Sequence, residues 1–262
     1  MSTDDTAGFA GTVAYYDRYR LGFPERLIQR VISLAGLKRG DRVLDLGCGT
    51  GMLAIAFARA GMTVTAMDPE ARMLEAARAA AQTAGVTVTW TLGGSQGLKP
   101  GMGPFRLAVL GRSFHWMDRA ATLTALEQVV TDGVALFHDA HPPVGENGWF
   151  EILCDIQKKY RGRPPEKSQE KFKSGHKRYE PFLFASTFGQ IDTLSVTIRQ
   201  ALTVEDILGR AFSMPASSPA KLGAAKDEFA ASLSAALREL APDGKFVEVA
   251  ELVAVLARRP EQ

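Results

Sequence analysis

The chain has 262 residues, 46% hydrophobic and 23% charged, with 31 Lys and Arg against 29 Asp and Glu for a formal net charge of +2. That length suits one large α/β domain or a core domain with a smaller cap, and the composition excludes a disordered chain and a small disulfide-stapled scaffold. The near balance of charge gives no global attraction to a polyanion, so nucleic acid is not an expected partner. Two cysteines, Cys48 and Cys154, fit a reducing cytosol better than an oxidising compartment. The N-terminus lacks the basic and apolar regions of a signal peptide, and no apolar run reaches the ~18 residues that span a bilayer. A soluble, cytoplasmic protein with no membrane partner is expected.

Taken in chain order, Pro24–Leu37 reads as a helix leading into a strand at Arg42–Leu46. A helix over Met52–Ala60, a strand at Thr63–Met67, an Ala-rich helix over Ala71–Ala84 closed by Gly85, and a strand at Val86–Leu92 follow. Leu107–Leu110 and Val134–His138 read as strands around a helix at Arg119–Val130. Strands separated by helices of this length imply βαβ units, and right-handed crossovers then give a doubly wound, mostly parallel sheet.

After Pro143 the pattern changes. Lys158–Arg178 holds nine Lys and Arg and two Glu, a net of +7. It reads first as a solvated surface loop and next as a lid attracting an anionic acceptor. A nucleic-acid contact comes last, since Tyr160, Phe172 and Tyr179 are too sparse for a stacking platform. Leu194–Leu202 reads as a strand, Thr203–Phe212 and Pro219–Leu240 as helices, and Phe246–Ala257 as a final strand, with Pro242-Asp243-Gly244 as a stopping turn.

The sharpest local feature is Arg42–Leu53, where a buried strand (Val43, Leu44, Leu46) runs into Gly47, Gly49 and Gly51 and then a helix. Glycines there let the backbone turn tightly and approach a ligand. A phosphate loop of the NTPase kind needs Gly-Lys-Ser/Thr, which is missing, and a dinucleotide fingerprint needs a third glycine where Met52 stands. What stands is G-x-G-x-G, preceded by Asp45. Asp68, ending the second strand, is placed to accept from both ribose hydroxyls of an adenosine, as in NAD enzymes and methyltransferases alike. Cys48 reads as a small filler, since nothing near it in sequence stabilises a thiolate.

With these residues in hand, the chain resembles the small-molecule class I methyltransferases of type 11 over roughly Phe9 to Asp139. Tyr16–Pro24 (YDRYRLGFP) is similar to the family's N-terminal signature, which implies that Tyr16 and Arg20 cover the methionine end of S-adenosylmethionine, with Arg20 facing its carboxylate. Met73 falls where the family places an apolar side chain against adenine. Ser113-Phe114-His115-Trp116-Met117-Asp118 resembles the F-H-W-x-D segment bordering the methyl-transfer cleft. The chain departs from the family at Arg106, where an acid is usual, and at Gly94–Pro100, which meets the third-strand signature only loosely.

The resemblance implies a doubly wound, seven-stranded Rossmann-like sheet, mostly parallel with the last strand antiparallel, and a helical cap. Its implied cofactor-binding residues are Tyr16, Arg20, Asp45, Gly47, Cys48, Gly49, Gly51, Asp68, Pro69, Met73, Ser95, Gln96 and Gly111. The domain expectation is N-terminal helices over 1–40, a core over 41–142, 190–202 and 245–262, and a cap over 143–189 and 203–244. His115 is the candidate general base, because imidazole titrates near working pH at the carboxyl edge of the sheet. His141 is the runner-up, placed with Tyr16 and Trp116 as acceptor-binding residues; the two aromatics suit a cation. The expected reaction is methyl transfer to O, N or C of a small molecule, with no metal. Alternatives are methylation of a protein or RNA, a non-catalytic binder of the same cofactor, and an NAD(P) oxidoreductase. The oligomeric state stays open, a homodimer among the options.

Overall fold

The computed structural model describes residues 12–160 and 179–260. Two helices open it, α1 (Val13–Tyr19) and α2 (Glu25–Leu34). The second buries Leu27, Ile28, Val31 and Ile32, a stripe at helical spacing. Seven strands follow: β1 (Arg42–Leu46), β2 (Thr63–Asp68), β3 (Thr89–Leu92), β4 (Phe105–Gly111), β5 (Val130–Ala140), β6 (Gln190–Thr203) and β7 (Lys245–Arg258). They form one sheet in the order β3-β2-β1-β4-β5-β7-β6. The first five pair in parallel, whereas β7 runs antiparallel between β5 and the edge strand β6.

Intervening helices cover both faces. On one face α2, α3 (Met52–Arg59) and α4 (Ala71–Thr83) pack Leu27, Leu53, Phe57 and Leu74 against Val43, Val109 and Phe137. On the other, α5 (Arg119–Glu127) and α7 (Glu180–Phe184) pack Leu123, Leu126 and Leu183 against Leu44, Ala108 and Leu136. A third apolar cluster lies among α6 (Gly148–Tyr160), α8 (Val204–Phe212), α9 (Pro219–Leu222) and α10 (Lys226–Leu240), around Trp149, Ile207, Phe212 and Phe229. It meets the sheet at Leu202 and Phe246, the end of β6 and the start of β7, and so stands at the sheet's carboxyl edge. Arg26 and Arg30 of α2 donate to the Thr197 and Ser195 carbonyls of edge strand β6, each at 3.1 Å. Among the described residues no helix is long and apolar enough to cross a membrane.

Several element boundaries differ from the sequence expectation for identifiable reasons. The third strand starts at Thr89, not Val86, because the Val86 amide still closes α4 on the Ala81 carbonyl at 3.1 Å, with Gly85 left-handed at φ 67°. The expected helix over Pro219–Leu240 breaks at Gly223, where φ is 54°, into α9 and α10. The helix α6, with Trp149, Leu153 and Ile156 buried, lies in the stretch read only as cap. Of the basic stretch Lys158–Arg178, only 158–160 fall among the described residues, ending α6. Arg106 binds Asp132 and, at 2.9 Å, Asp41, tying the starts of β4, β1 and β5 together.

The third cluster is joined to the sheet through Glu248 of β7, which is 0% exposed. Its carboxylate accepts from Arg210 Nη1 of α8, from His141 Nε2 at 2.6 Å and from Gln200 Nε2 at 2.8 Å. Burial by itself raises this carboxyl, but the His141 and Arg210 hydrogen bonds outweigh it and leave it below the usual glutamate range. Removing its charge leaves Arg210 buried without its partner, so Glu248→Gln should cost about 3 kcal/mol in urea unfolding at pH 7. A depressed folded pKa contributes stability above the unfolded value of 4.5 and loses it as pH falls through the lower folded value. The wild-type advantage over the variant should therefore shrink steadily on acidification below pH ~4.5, and unfolding curves at stepped pH would show it.

Candidate active site

The glycine loop is bound to the end of β2 before any ligand is considered. Gly47 and Cys48 amides donate to the Met67 carbonyl at 2.8 and 3.0 Å, and the Gly49 amide donates to Asp68 Oδ2 at 2.8 Å. Asp68 Oδ1 accepts from the Glu70 amide at 2.9 Å. Two of the glycines are required by space and conformation together. A Cβ at Gly47, whose φ is 71°, would lie 2.6 Å from Ser113 Cβ, and one at Gly51, whose φ is 85°, would lie 2.9 Å from the Trp90 ring. Ser113 fixes the facing loop by donating from Oγ to the Leu46 carbonyl at 2.8 Å.

A cleft of about 470 Å³ opens over this loop at the carboxyl ends of β1, β2 and β4. Of the residues singled out from sequence, Tyr16, Gly47, Gly49, Asp68, Pro69, Met73, Ser95, Gln96, Gly111 and Trp116 line it. Met117 and Asp118 of the segment read as bordering the cleft line it too, and Glu70, Leu98 and Arg112 join them without having been singled out. Asp45 and Cys48 stand behind the loop, lining a smaller pocket of about 20 Å³ that Tyr16, Gly47, Gly111 and Arg112 share. Gly51, Arg20, His115 and His141 line neither space. Gly51 begins α3 against Trp90. His115 is exposed and lies against Trp116 with ring centroids 4.9 Å apart. His141 is bound to Glu248 and stacks on Phe150 at 4.2 Å.

The electrostatics separate the carboxylates. Asp45 is 1% exposed; Oδ2 accepts from the Ala54 amide in the first turn of α3 at 2.8 Å, while Oδ1 has no hydrogen-bond partner among the described residues. Burial pushes its carboxyl up to about 7 despite that amide, and Asp68 adds to the rise. Burial also raises Asp68, against the lowering effect of the Glu70 and Gly49 amides. The Cys48 thiol is pushed far up by burial and then by Asp45 and Asp68, which leaves it uncharged and without nucleophilic character. Met73, 3% exposed, gives the cleft an apolar wall beyond Pro69.

Arg112, next to Gly111, holds a left-handed backbone at φ 53°, which non-glycine residues seldom adopt. Its Nε binds Asp139, its Nη2 donates to the Leu21 carbonyl at 2.8 Å, and the guanidinium lies 4.5 Å from the Phe23 ring centroid. Arg20 packs over the Tyr16 ring at 5.3 Å and donates to the Ser213 carbonyl at 3.4 Å. Its buried Nε has no partner among the described residues. Asp139 is the carboxylate that both guanidiniums feel. Sequence reasoning missed Arg112 and Asp139 because they meet across 27 residues. Glu70 carried a readable signal: it follows Asp68 by two positions, at the same sheet edge.

The arrangement offers acids at the β2 end, an aromatic and thioether wall at Trp116 and Met117, and opposite charges, Asp45 and Arg112, in the pocket behind the loop. Such a site can hold a nucleoside against the acids and a zwitterionic tail behind the loop, leaving the Tyr16 and Trp116 side for a second molecule.

Comparison with known proteins agrees with this geometry. Residues 43–133 match the family model described as a methyltransferase domain. An uncharacterized methyltransferase of Mycobacterium tuberculosis is 30% identical over 154 residues, 58% of this chain and 60% of its own length. A ubiquinone biosynthesis O-methyltransferase of Methylocella silvestris is 32% identical over 129 residues, 45% of this chain and 50% of its own length. The chain thus spans between half and two thirds of these two curated relatives. Among solved structures, a candidate type II methyltransferase from Anaeromyxobacter dehalogenans is similar in fold with a TM-score of 0.62 and 18% identity, covering 93% of this chain and 100% of that one. A candidate methyltransferase from Bacillus halodurans is similar at 0.53 and 16% identity, covering 89% and 99%. Over residues 43–133 the chain is thus similar to a methyltransferase domain, and its fold is similar to that of the two solved structures.

Proposed function

We propose that this chain transfers the methyl group of S-adenosylmethionine to an O, N or C atom of a small molecule. The observation that carries the reading is the pairing of the glycine loop with Asp68 at the floor of the cleft. Each Asp68 oxygen accepts one amide and keeps a lone pair for a ribose hydroxyl. Behind the loop, Asp45 with its unpartnered Oδ1 suits an ammonium and Arg112 suits a carboxylate, with Arg20 nearby over the Tyr16 ring. Opposite charges there fit an amino-acid tail and oppose a pyrophosphate, which distinguishes this cofactor from NAD. Met73 and Pro69 offer the adenine an apolar edge.

When bound, the cofactor supplies a methyl group on a sulfonium, already an excellent leaving group. The chain's own task is then to align an acceptor lone pair with that carbon and exclude water. Tyr16 and Trp116, aromatic faces on the cleft wall, suit both tasks and favour a cationic or apolar neighbour. The cleft volume of about 470 Å³ falls in the range of small-molecule sites, the scale of the cofactor itself. His115 is exposed outside that wall, so alignment and not base catalysis is the main contribution assigned to the segment.

S-adenosylhomocysteine should raise the melting temperature where NAD does not, since a ligand of the native state stabilises it. Asp68→Ala should weaken that ligand at least about tenfold by calorimetry, the loss of charge-assisted hydrogen bonds together with the loop's own anchor. No shift with S-adenosylhomocysteine would remove the reading.

The buried Asp45 gives a pH signature. In the free protein its carboxyl, raised to about 7, is largely protonated at pH 6 and largely charged at pH 8. A ligand ammonium binds the charged form, so S-adenosylhomocysteine should bind about tenfold more tightly at pH 8 than at pH 6. Asp45→Asn should flatten the dependence; an unchanged slope in that variant would remove Asp45 from the site. With radiolabelled S-adenosylmethionine and a metabolite extract, label should enter the small-molecule fraction and not protein or RNA. His115→Gln should keep that rate within about threefold; a loss near the 10²–10⁴-fold of a true base would reverse its assignment.

A further inference from the structure

The helix that brings Tyr16 to the cleft has α8 as its main partner, and α8 belongs to the third cluster. Tyr15 packs edge-on against Phe212 with centroids 5.4 Å apart, and Tyr19 Oη donates to Glu205 at 3.1 Å. Arg210 Nε donates to the Tyr19 carbonyl at 3.3 Å, which links α1 through Arg210 to the buried Glu248. The closest contact is at Gly209, which is buried in the middle of α8. A Cβ there would lie 2.3, 2.4 and 2.5 Å from Cδ2, Cε2 and Cγ of Tyr19. Gly209 has no positive φ, so glycine is needed there for space alone: the Tyr19 ring is seated on bare backbone.

We propose that Gly209 is a positioning residue for the cofactor site, because the seat it gives Tyr19 sets where α1 holds Tyr16 over the cleft. The proposal rests on the reading of that cleft as a cofactor site. Tyr16 lies one helical turn before Tyr19 on a seven-residue helix, so a displacement of the ring is carried to it almost undiminished. Tyr16 lines the pocket behind the loop as well as the cleft, so the tail end of the ligand is the part that feels the shift. It follows that a movement of α8 carries Tyr16 with it.

The test uses the full chain, with S-adenosylhomocysteine and 5′-methylthioadenosine, the same nucleoside thioether without the amino-acid tail, as calorimetric probes. Alanine favours a helix over glycine, so Gly209→Ala introduces no propensity penalty. It should weaken S-adenosylhomocysteine about tenfold and methylthioadenosine less than about threefold. Tyr19→Ala should do the same, and the double variant should bind no worse than the weaker single one, because both act through one contact. Should Gly209→Ala not fold, Tyr19→Ala carries the same selective loss. Equal weakening of both probes in step with a lowered Tm would make Gly209 merely structural and overturn the proposal. Tight wild-type binding that Gly209→Ala leaves unchanged would overturn it alone, whereas no wild-type binding of S-adenosylhomocysteine would overturn the cofactor reading and this proposal with it.

Discussion

Three amides of the glycine loop end on the last two residues of β2, and the site is built on that attachment. Gly47 and Cys48 share the Met67 carbonyl, and Gly49 takes the Asp68 carboxylate. This is possible only because β1 and β2 lie parallel and in register, Leu46 beside Met67. A residue slip in that pairing would turn Asp68 to the other face and leave the loop amides without acceptors. The carboxylate that anchors the Gly49 amide also faces the cleft.

Charge is distributed by the same logic. Asp139 and Glu248 each bind a guanidinium, from Arg112 and Arg210, and both carboxyls stay below their usual range. Asp45 and Asp68 receive backbone amides and no cation, and both are raised. Matched carboxylates hold elements together, whereas carboxylates left with amides alone still favour further positive or donor groups. Asp45, Asp68 and Glu248 are buried while the Asp139 side chain is 19% exposed, so it is the missing counter-charge that sets Asp45 and Asp68 apart.

What the sequence made legible follows the range of the interactions involved. The strand Arg42–Leu46, the G-x-G-x-G turn and Asp68 lie within 27 residues and are specified by local patterning, and the structure places them as the patterning implies. The helix read over Thr203–Phe212 forms at Val204–Phe212, and the structure shows Thr203 just outside it in a reciprocal cap with Asp206. His141 was not legible: its partner Glu248 is 107 residues away, and nothing local distinguishes a histidine hydrogen-bonded to a buried carboxylate from one in a cleft. Gly209 reads in sequence as a weak helix residue, because the ring that explains it comes from α1. Arg112 was hidden twice, by its distant carboxylate and by a backbone conformation that sequence seldom signals for arginine.

The N-terminal segment ties the third cluster to the residues around the cleft. Tyr15 packs with the third cluster, while Leu21 and Leu27 pack in the core beneath the sheet. The chain therefore crosses from one body to the other between Tyr19, seated on Gly209, and Leu21, whose carbonyl accepts from Arg112. Arg20 stands at the crossing, over the Tyr16 ring and reaching Ser213 beyond α8. Two guanidiniums, Arg20 and Arg112, face Asp139 there, and this seam holds one more cation than that carboxylate neutralises. An excess positive charge in a buried place is costly unless an anion completes it. On the proposed reading, a ligand carboxylate bound here would satisfy both bodies together, and the free energy of binding its tail would also fasten the third cluster to the core.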